Sequence, residues 1–96
     1  MPIETTRFDV QDHLKTPEDQ VAYVEAVLED GDPDLIATAL GDIARARGVT
    51  EFARETGLSR ETIYKALRPG GNPTLDTLAR CVRALGLRLA LQPVSG

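Results

Sequence analysis

Apolar positions recur along this chain at two periods, and the change of period divides it. Between positions 16 and 85 they fall at helical spacing in stretches separated by Gly, Pro and Asn, and from position 87 they alternate with every second residue. The first helix signal is Thr16-Pro17-Glu18-Asp19. It sets a hydroxyl at the N-cap, a proline at the first helical position and two acids where the helix dipole favours them. Val21, Val24, Ala26, Val27 and Leu28 form the predicted buried stripe, Tyr23 borders it, and Gly31 stops the helix after Asp30. Asp32-Pro33-Asp34 repeats the start signal and predicts a helix from Pro33 to Arg47, stopped by Gly48. Leu35, Ile36, Ala39, Leu40, Ile43 and Ala44 face inward. Gly41 lies inside this helix at a cost of roughly 1 kcal/mol relative to alanine, which close approach of another helix would offset. Arg45 and Arg47 in the last turn answer the negative end of the dipole or meet a phosphate.

Residues 49 to 67, VTEFARETGLSRETIYKAL, are the most informative run. They read as two short amphipathic helices meeting at Gly57. Ala53 is small enough for the helices to cross closely, Gly57 supplies the positive φ that ends the first, and Leu58 and Ile63 fill the shared core. Ser59 caps the second helix, with Thr62 where a capping box would carry Glu or Gln. Ile63, Ala66 and Leu67 share one stripe, so Arg60, Glu61, Tyr64, Lys65 and Arg68 point elsewhere. This is the pattern of a helix-turn-helix, and the outward set is the DNA-facing candidate; the plain alternative is a charged face that is only solvated.

Pro69-Gly70-Gly71-Asn72-Pro73 forces a loop. Thr74 then caps a last helix, Leu75 to Leu85, with Leu75, Leu78, Ala79, Val82 and Leu85 inward and Gly86 at its end. Its free N–H groups leave the Asn72 to Thr74 corner open either to capping alone or to a DNA phosphate. In the tail, Leu87, Leu89 and Leu91 lie on one side and Arg88, Ala90 and Gln92 on the other, which predicts a strand. That strand has no sheet to join in an all-helical domain. It must pair with the N-terminal arm, another chain or a symmetry mate, and two-fold pairing would make a homodimer. The expected fold class is therefore all-α, five helices with a short C-terminal β-strand: residues 1–15 form a loosely held arm and residues 16–96 a single domain.

Ninety-six residues make one domain, too few for a cleft between two. Cys81, the single cysteine, sits among Leu78, Val82 and Leu85 and reads as a buried small hydrophobe. The single histidine, His13, has no partner set for a metal and no Ser, Cys or Lys placed with it as a nucleophile pair. Neither enzyme activity, a metal nor a cofactor is expected. The chain has no long apolar run and no signal-like N-terminus, so the expectation is a cytoplasmic protein without membrane contact.

The net charge of −4 conceals a division. Residues 1–44 hold eleven acidic side chains against Arg7 and Lys15, a net −9, while residues 45–96 hold nine basic side chains against four acidic ones, a net +5. Such a dipole suits two partners, a polyanion for the second half and a basic protein for the first. Ordinary acidic solubilisation is the alternative.

The run from Asp32 to Leu67, DPDLIATALGDIARARGVTEFARETGLSRETIYKAL, and the run from Gly71 to Leu87, GNPTLDTLARCVRALGL, resemble the addiction-module antidote family, small antitoxins related to HigA-like proteins. The resemblance implies a lambda-repressor/Cro-type helix-turn-helix domain that binds double-stranded DNA at its own operator and neutralises a RelE-like toxin, a small basic ribonuclease. It places the recognition helix on Ser59, Arg60, Glu61, Tyr64 and Lys65, with Thr62 at its side. In repressors of this type the preceding helix often opens with a glutamine on a phosphate; here Val49 or Thr50 opens it and Glu51 follows. Arg60 suits a bidentate contact to guanine, and Lys65 and Arg68 suit phosphates. Glu61 either pairs with Lys65 four residues on or reads a cytosine amine, the pair being slightly favoured. For the toxin, Phe8, Val10, Leu14 and Tyr23 are the expected apolar centre within an acidic rim, with a core role for Tyr23 as the alternative. Two other readings compete: a stand-alone phage-type repressor without a toxin, and a protein-interaction module that uses the fold as architecture only.

Overall fold

Five helices follow one another through residues 13–94, the part of the chain that the computed structural model describes: α1 (Pro17–Asp30), α2 (Pro33–Arg47), α3 (Val49–Thr56), α4 (Arg60–Ala66) and α5 (Leu75–Ala84). Four of them begin on the side chain that the sequence marks. Thr16 Oγ1 accepts from the Asp19 N–H at 3.1 Å, and the Asp32 carboxylate accepts from the Asp34 N–H at 2.9 Å. Ser59 Oγ accepts from the Thr62 N–H at 3.0 Å and Thr74 Oγ1 from the Thr77 N–H at 3.1 Å. Each such cap contributes about 1 kcal/mol, so the helix starts are locally encoded. α3 is the exception, opening at Gly48 with no side-chain cap. Gly57 ends it in the left-handed conformation, φ 78°, its N–H donating to the Ala53 carbonyl at 2.9 Å.

α3 is the hub: it packs on α2, α4 and α5, while α1 lies against α2. At its centre is Phe52, fully buried and absent from the stripes read off the sequence. Around it close Leu40 and Ile43 of α2, Ile63 of α4, Leu67, and Cys81 of α5, with Val24 of α1 and Leu14 in the same cluster. Burying side chains of this size stabilises by about 1.5–3 kcal/mol apiece before the cost of ordering the chain. Gly41 sits where α2 meets the end of α4. A Cβ there would run into the Leu67 carbonyl, so the helical glycine does permit a close approach.

Three expectations are corrected. Residues 87–94 form no strand, and none exists among the described residues. Leu87 packs on the core and its N–H donates to the Val82 carbonyl at 3.0 Å, but Leu89, Leu91 and Val94 are exposed. Alternation alone does not make a strand, because the ladder needs a second segment to bond. Leu35 and Leu75, expected inside, are 48% and 73% exposed, and Ala26 is exposed as well. The two leucines lie in first turns, where a counted stripe runs on past the neighbour that would cover it. In the arm, Leu14 is a core residue at 2% exposure rather than a surface contact; its carbonyl accepts from Gln20 Nε2 at 2.9 Å.

Candidate nucleic-acid interface

α4 is held by both ends of its inner face, with Ile63 and Leu67 each 2% exposed. That fixes the opposite face in solvent: Arg60, Glu61, Tyr64, Lys65 and Arg68 are all exposed, and Thr62 is half-buried. Ser59 and Thr62 have a structural task at the start of the helix. Besides the cap, Ser59 Oγ donates to Thr62 Oγ1 at 2.9 Å, so the two hydroxyls satisfy each other.

The ion pairs sort the basic half of the chain into engaged and available charges. Arg45 is bound to Asp42 at 2.8 Å, Arg47 to Glu55 at 2.8 Å, and Arg80 to Asp76 at 2.9 Å. Arg54 is paired with Glu51 on α3, and the guanidinium hydrogen bond holds the Glu51 carboxyl below its usual range. Arg60, Lys65 and Arg68 have no carboxylate partner among the described residues; Arg68 Nε donates only to the Lys65 carbonyl, at 3.1 Å. The slightly favoured Glu61–Lys65 pair is therefore not formed. An exposed pair four residues apart gains only a few tenths of a kcal/mol, which does not offset the entropy of fixing two long side chains. Among the described residues, the outward face of α4 and Arg68 just beyond its end thus present three cations without a carboxylate partner and one carboxylate without a cation.

Beside that face, α4 and the loop entering α5 enclose an open groove of about 400 Å³ between Glu61, Thr62 and Lys65 on one wall and Asn72, Thr74 and Thr77 on the other. The Thr74 hydroxyl is already engaged with the Thr77 N–H and Thr77 Oγ1, so capping accounts for that corner.

Of the residues expected at a toxin surface, the structure describes only Leu14 and Tyr23. Phe8 and Val10 lie outside the described residues, and Leu14 is core. Tyr23 is half-buried and its hydroxyl donates to Asp42 Oδ2 at 2.9 Å; burial first, then this bond and the carboxylate's charge, push its pKa up to about 12. What α1 does present outward is charge: Glu18, Asp19, Glu25, Glu29 and Asp30 are exposed and the helix carries no basic residue.

Sequence reasoning missed a polar link under this surface. Gln20 is 4% exposed, and its Oε1 accepts from Arg47 Nε at 2.6 Å while its Nε2 donates to Leu14, joining the segment before α1 to the end of α2. The signal was available: Gln20 falls four positions before Val24, on the buried stripe. Among the described residues no three His, Cys, Asp or Glu side chains gather as a metal site, and no helix is long and apolar enough to cross a membrane.

Residues 4–93 match the family described as probable addiction module antidote protein. An uncharacterized protein of Haemophilus influenzae is 45% identical over 85 residues, which is 88% of this chain and 88% of that protein. No solved structure matches.

Proposed function

Because this chain belongs to the family of probable addiction module antidote proteins, we propose that it is the antitoxin of a type II toxin-antitoxin module. It neutralises a small basic RelE-like toxin by direct binding and represses its own promoter through a helix-turn-helix made of α3 and α4. The observation that carries this reading is the division of exposed charge: unpaired cations on α4, unrelieved acids on α1. One molecule thus offers a face to a polyanion and another to a polycation.

On DNA, α4 enters the major groove. Arg60, at its first position, donates bidentately to guanine O6 and N7, a contact worth about 1–3 kcal/mol of discrimination. Lys65 and Arg68 serve phosphates, and Glu61, having no partner on its own helix, accepts from a cytosine amine. Ser59 and Thr62 fix the start of the helix, so that Arg60 leaves it at a defined angle. On the toxin side the acids of α1 steer a basic protein, and the segment before residue 13, with Phe8 and Val10, supplies apolar contact. A second copy of the chain covers the exposed tail leucines, giving the dimer that a two-fold operator requires. The stand-alone repressor reading needs no toxin, and antidote membership supports the module instead.

The test is co-expression with the neighbouring gene's small basic product, in cells carrying the module's promoter fused to a reporter. Relief of growth arrest together with reporter repression is the expected result. Persistent arrest would overturn the antitoxin role, and an unrepressed reporter the repressor role.

A further inference from the structure

The last turn of α2 carries a second basic element that no reading of α4 alone contains. Gly41 lets the end of α4 close onto α2, and the approach gathers Arg45 of α2, Tyr64 and Arg68 around a small recess lined otherwise by apolar groups, Ala44, Val49, Ile63 and Leu67 among them. The recess measures about 40 Å³, room for roughly three water-sized atoms. Its floor is apolar, so an anion is received at the mouth, where the donors of Arg45, Tyr64 and Arg68 stand, and not inside it.

The donors around it are only partly used. Arg45 gives Nη2 to Asp42 Oδ1 at 2.8 Å, and Asp42 is itself tied to the Tyr23 hydroxyl at 2.9 Å. This chain of bonds restrains the Arg45 guanidinium through one nitrogen while leaving its side chain 47% exposed. Arg68 engages Nε on the Lys65 carbonyl, and among the described residues neither its terminal nitrogens nor the hydroxyl of the half-exposed Tyr64 has a partner. Asp42 is only 13% exposed and its two oxygens are both occupied, so it offsets part of the positive charge without facing an incoming anion.

We propose that Arg45, Tyr64 and Arg68 form a clamp for one DNA backbone phosphate at the seam of α2 and α4. The clamp rests on the DNA-binding reading above and extends it. It carries the contact surface off the recognition helix onto α2, and it fixes the depth at which α4 sits, because a phosphate held at the helix's far end leaves Arg60 at the near end to reach base edges. Arginine suits the task through its fork of donors, of which one nitrogen can hold Asp42 while others hold the phosphate.

The experiment is a salt titration of duplex binding by fluorescence anisotropy, using promoter DNA and an unrelated duplex. Arg45→Gln should weaken both duplexes on the order of tenfold and reduce the slope of log K against log salt by about 1. Arg68→Gln should do the same, and the charge-keeping Arg45→Lys should restore the slope. An Arg45→Gln protein that melts earlier but keeps the wild-type slope would reduce Arg45 to a tether for Asp42 and overturn the clamp. If Arg45→Gln fails to fold, Arg68→Gln and Tyr64→Phe decide: unchanged slope and unchanged affinity in both overturn it. A wild-type chain that binds no duplex at low salt would instead remove the DNA-binding reading itself, a result distinguishable from loss of the clamp alone.

Discussion

The Tyr23 hydroxyl donates to Asp42 Oδ2 at 2.9 Å, fastening α1 to α2 through a carboxylate that also holds Arg45. A side chain that reads from the sequence as an aromatic contact for a partner is thereby occupied inside the fold. Tyr23→Phe should lower the unfolding free energy by about 0.5–1.5 kcal/mol, the net worth of one hydrogen bond, as measured by urea denaturation. Toxin affinity should change by less than about threefold, well under 1 kcal/mol. A large loss of affinity with unchanged stability would return Tyr23 to the interface.

Alkaline pH should destabilise the fold through two groups. Burial pushes the Cys81 thiol from 9.0 up to about 12, and Tyr23 rises from 10.0 to about 12. Above pH 9 the unfolded chain gives up the thiol proton while the native chain keeps it, and above pH 10 the phenol follows. The native state then binds more protons, so stability present in full below pH 9 falls as pH rises toward 12. Thermal melts across this range should show a descending Tm, and Cys81→Ala should flatten its first part.

Gly41→Ala is a gain of up to roughly 1 kcal/mol on helix propensity alone. The new methyl would meet the Leu67 carbonyl oxygen, backbone that cannot rotate aside. Overpacking of this kind costs about 1–3 kcal/mol, so the net effect should be destabilising. Denaturation midpoints should fall, and DNA affinity should fall with them even at temperatures where the variant is folded, because α4 is pushed off α2. A variant more stable than the parent would show that the seam yields.

Gln20→Ala should cost about 1–3 kcal/mol, since it leaves the Leu14 carbonyl and Arg47 Nε without their buried partner. The loss should be local first. Trypsin cleavage after the exposed Lys15 should accelerate before global unfolding does, and equal acceleration at all sites would show that Gln20 holds no separate segment.

The helix boundaries were written locally, and they hold: Thr16, Asp32, Ser59 and Thr74 cap the helices they mark, and Gly57 ends α3 with the positive φ that its place in the turn requires. These are interactions between residues two to four apart, so composition and spacing carry them. The outward set on α4 was legible for the same reason, being the complement of a stripe anchored by Ile63 and Leu67.

Three-dimensional packing decided the rest. Phe52 lies at the hub because α2, α4 and α5 converge on α3, and no single-helix periodicity announces that convergence. Leu14 moved from expected surface to core, and Tyr23 acquired Asp42 nineteen positions away, through contacts between separate elements. The tail shows the converse. Its alternation is as regular as any in the chain, yet it forms no strand, since a strand depends on hydrogen bonds to a second segment that its own sequence does not provide. By itself, then, the sequence determined where helices start and stop, which face of α4 is wet and how charge divides along the chain, all properties of near neighbours. Only the tertiary structure decided what meets across elements, Arg47 with Glu55 and Gln20, and Tyr23 with Asp42, because such partners are set by where two helices lie in space, whereas the pairs of Arg45, Arg54 and Arg80 span three or four positions of one helix.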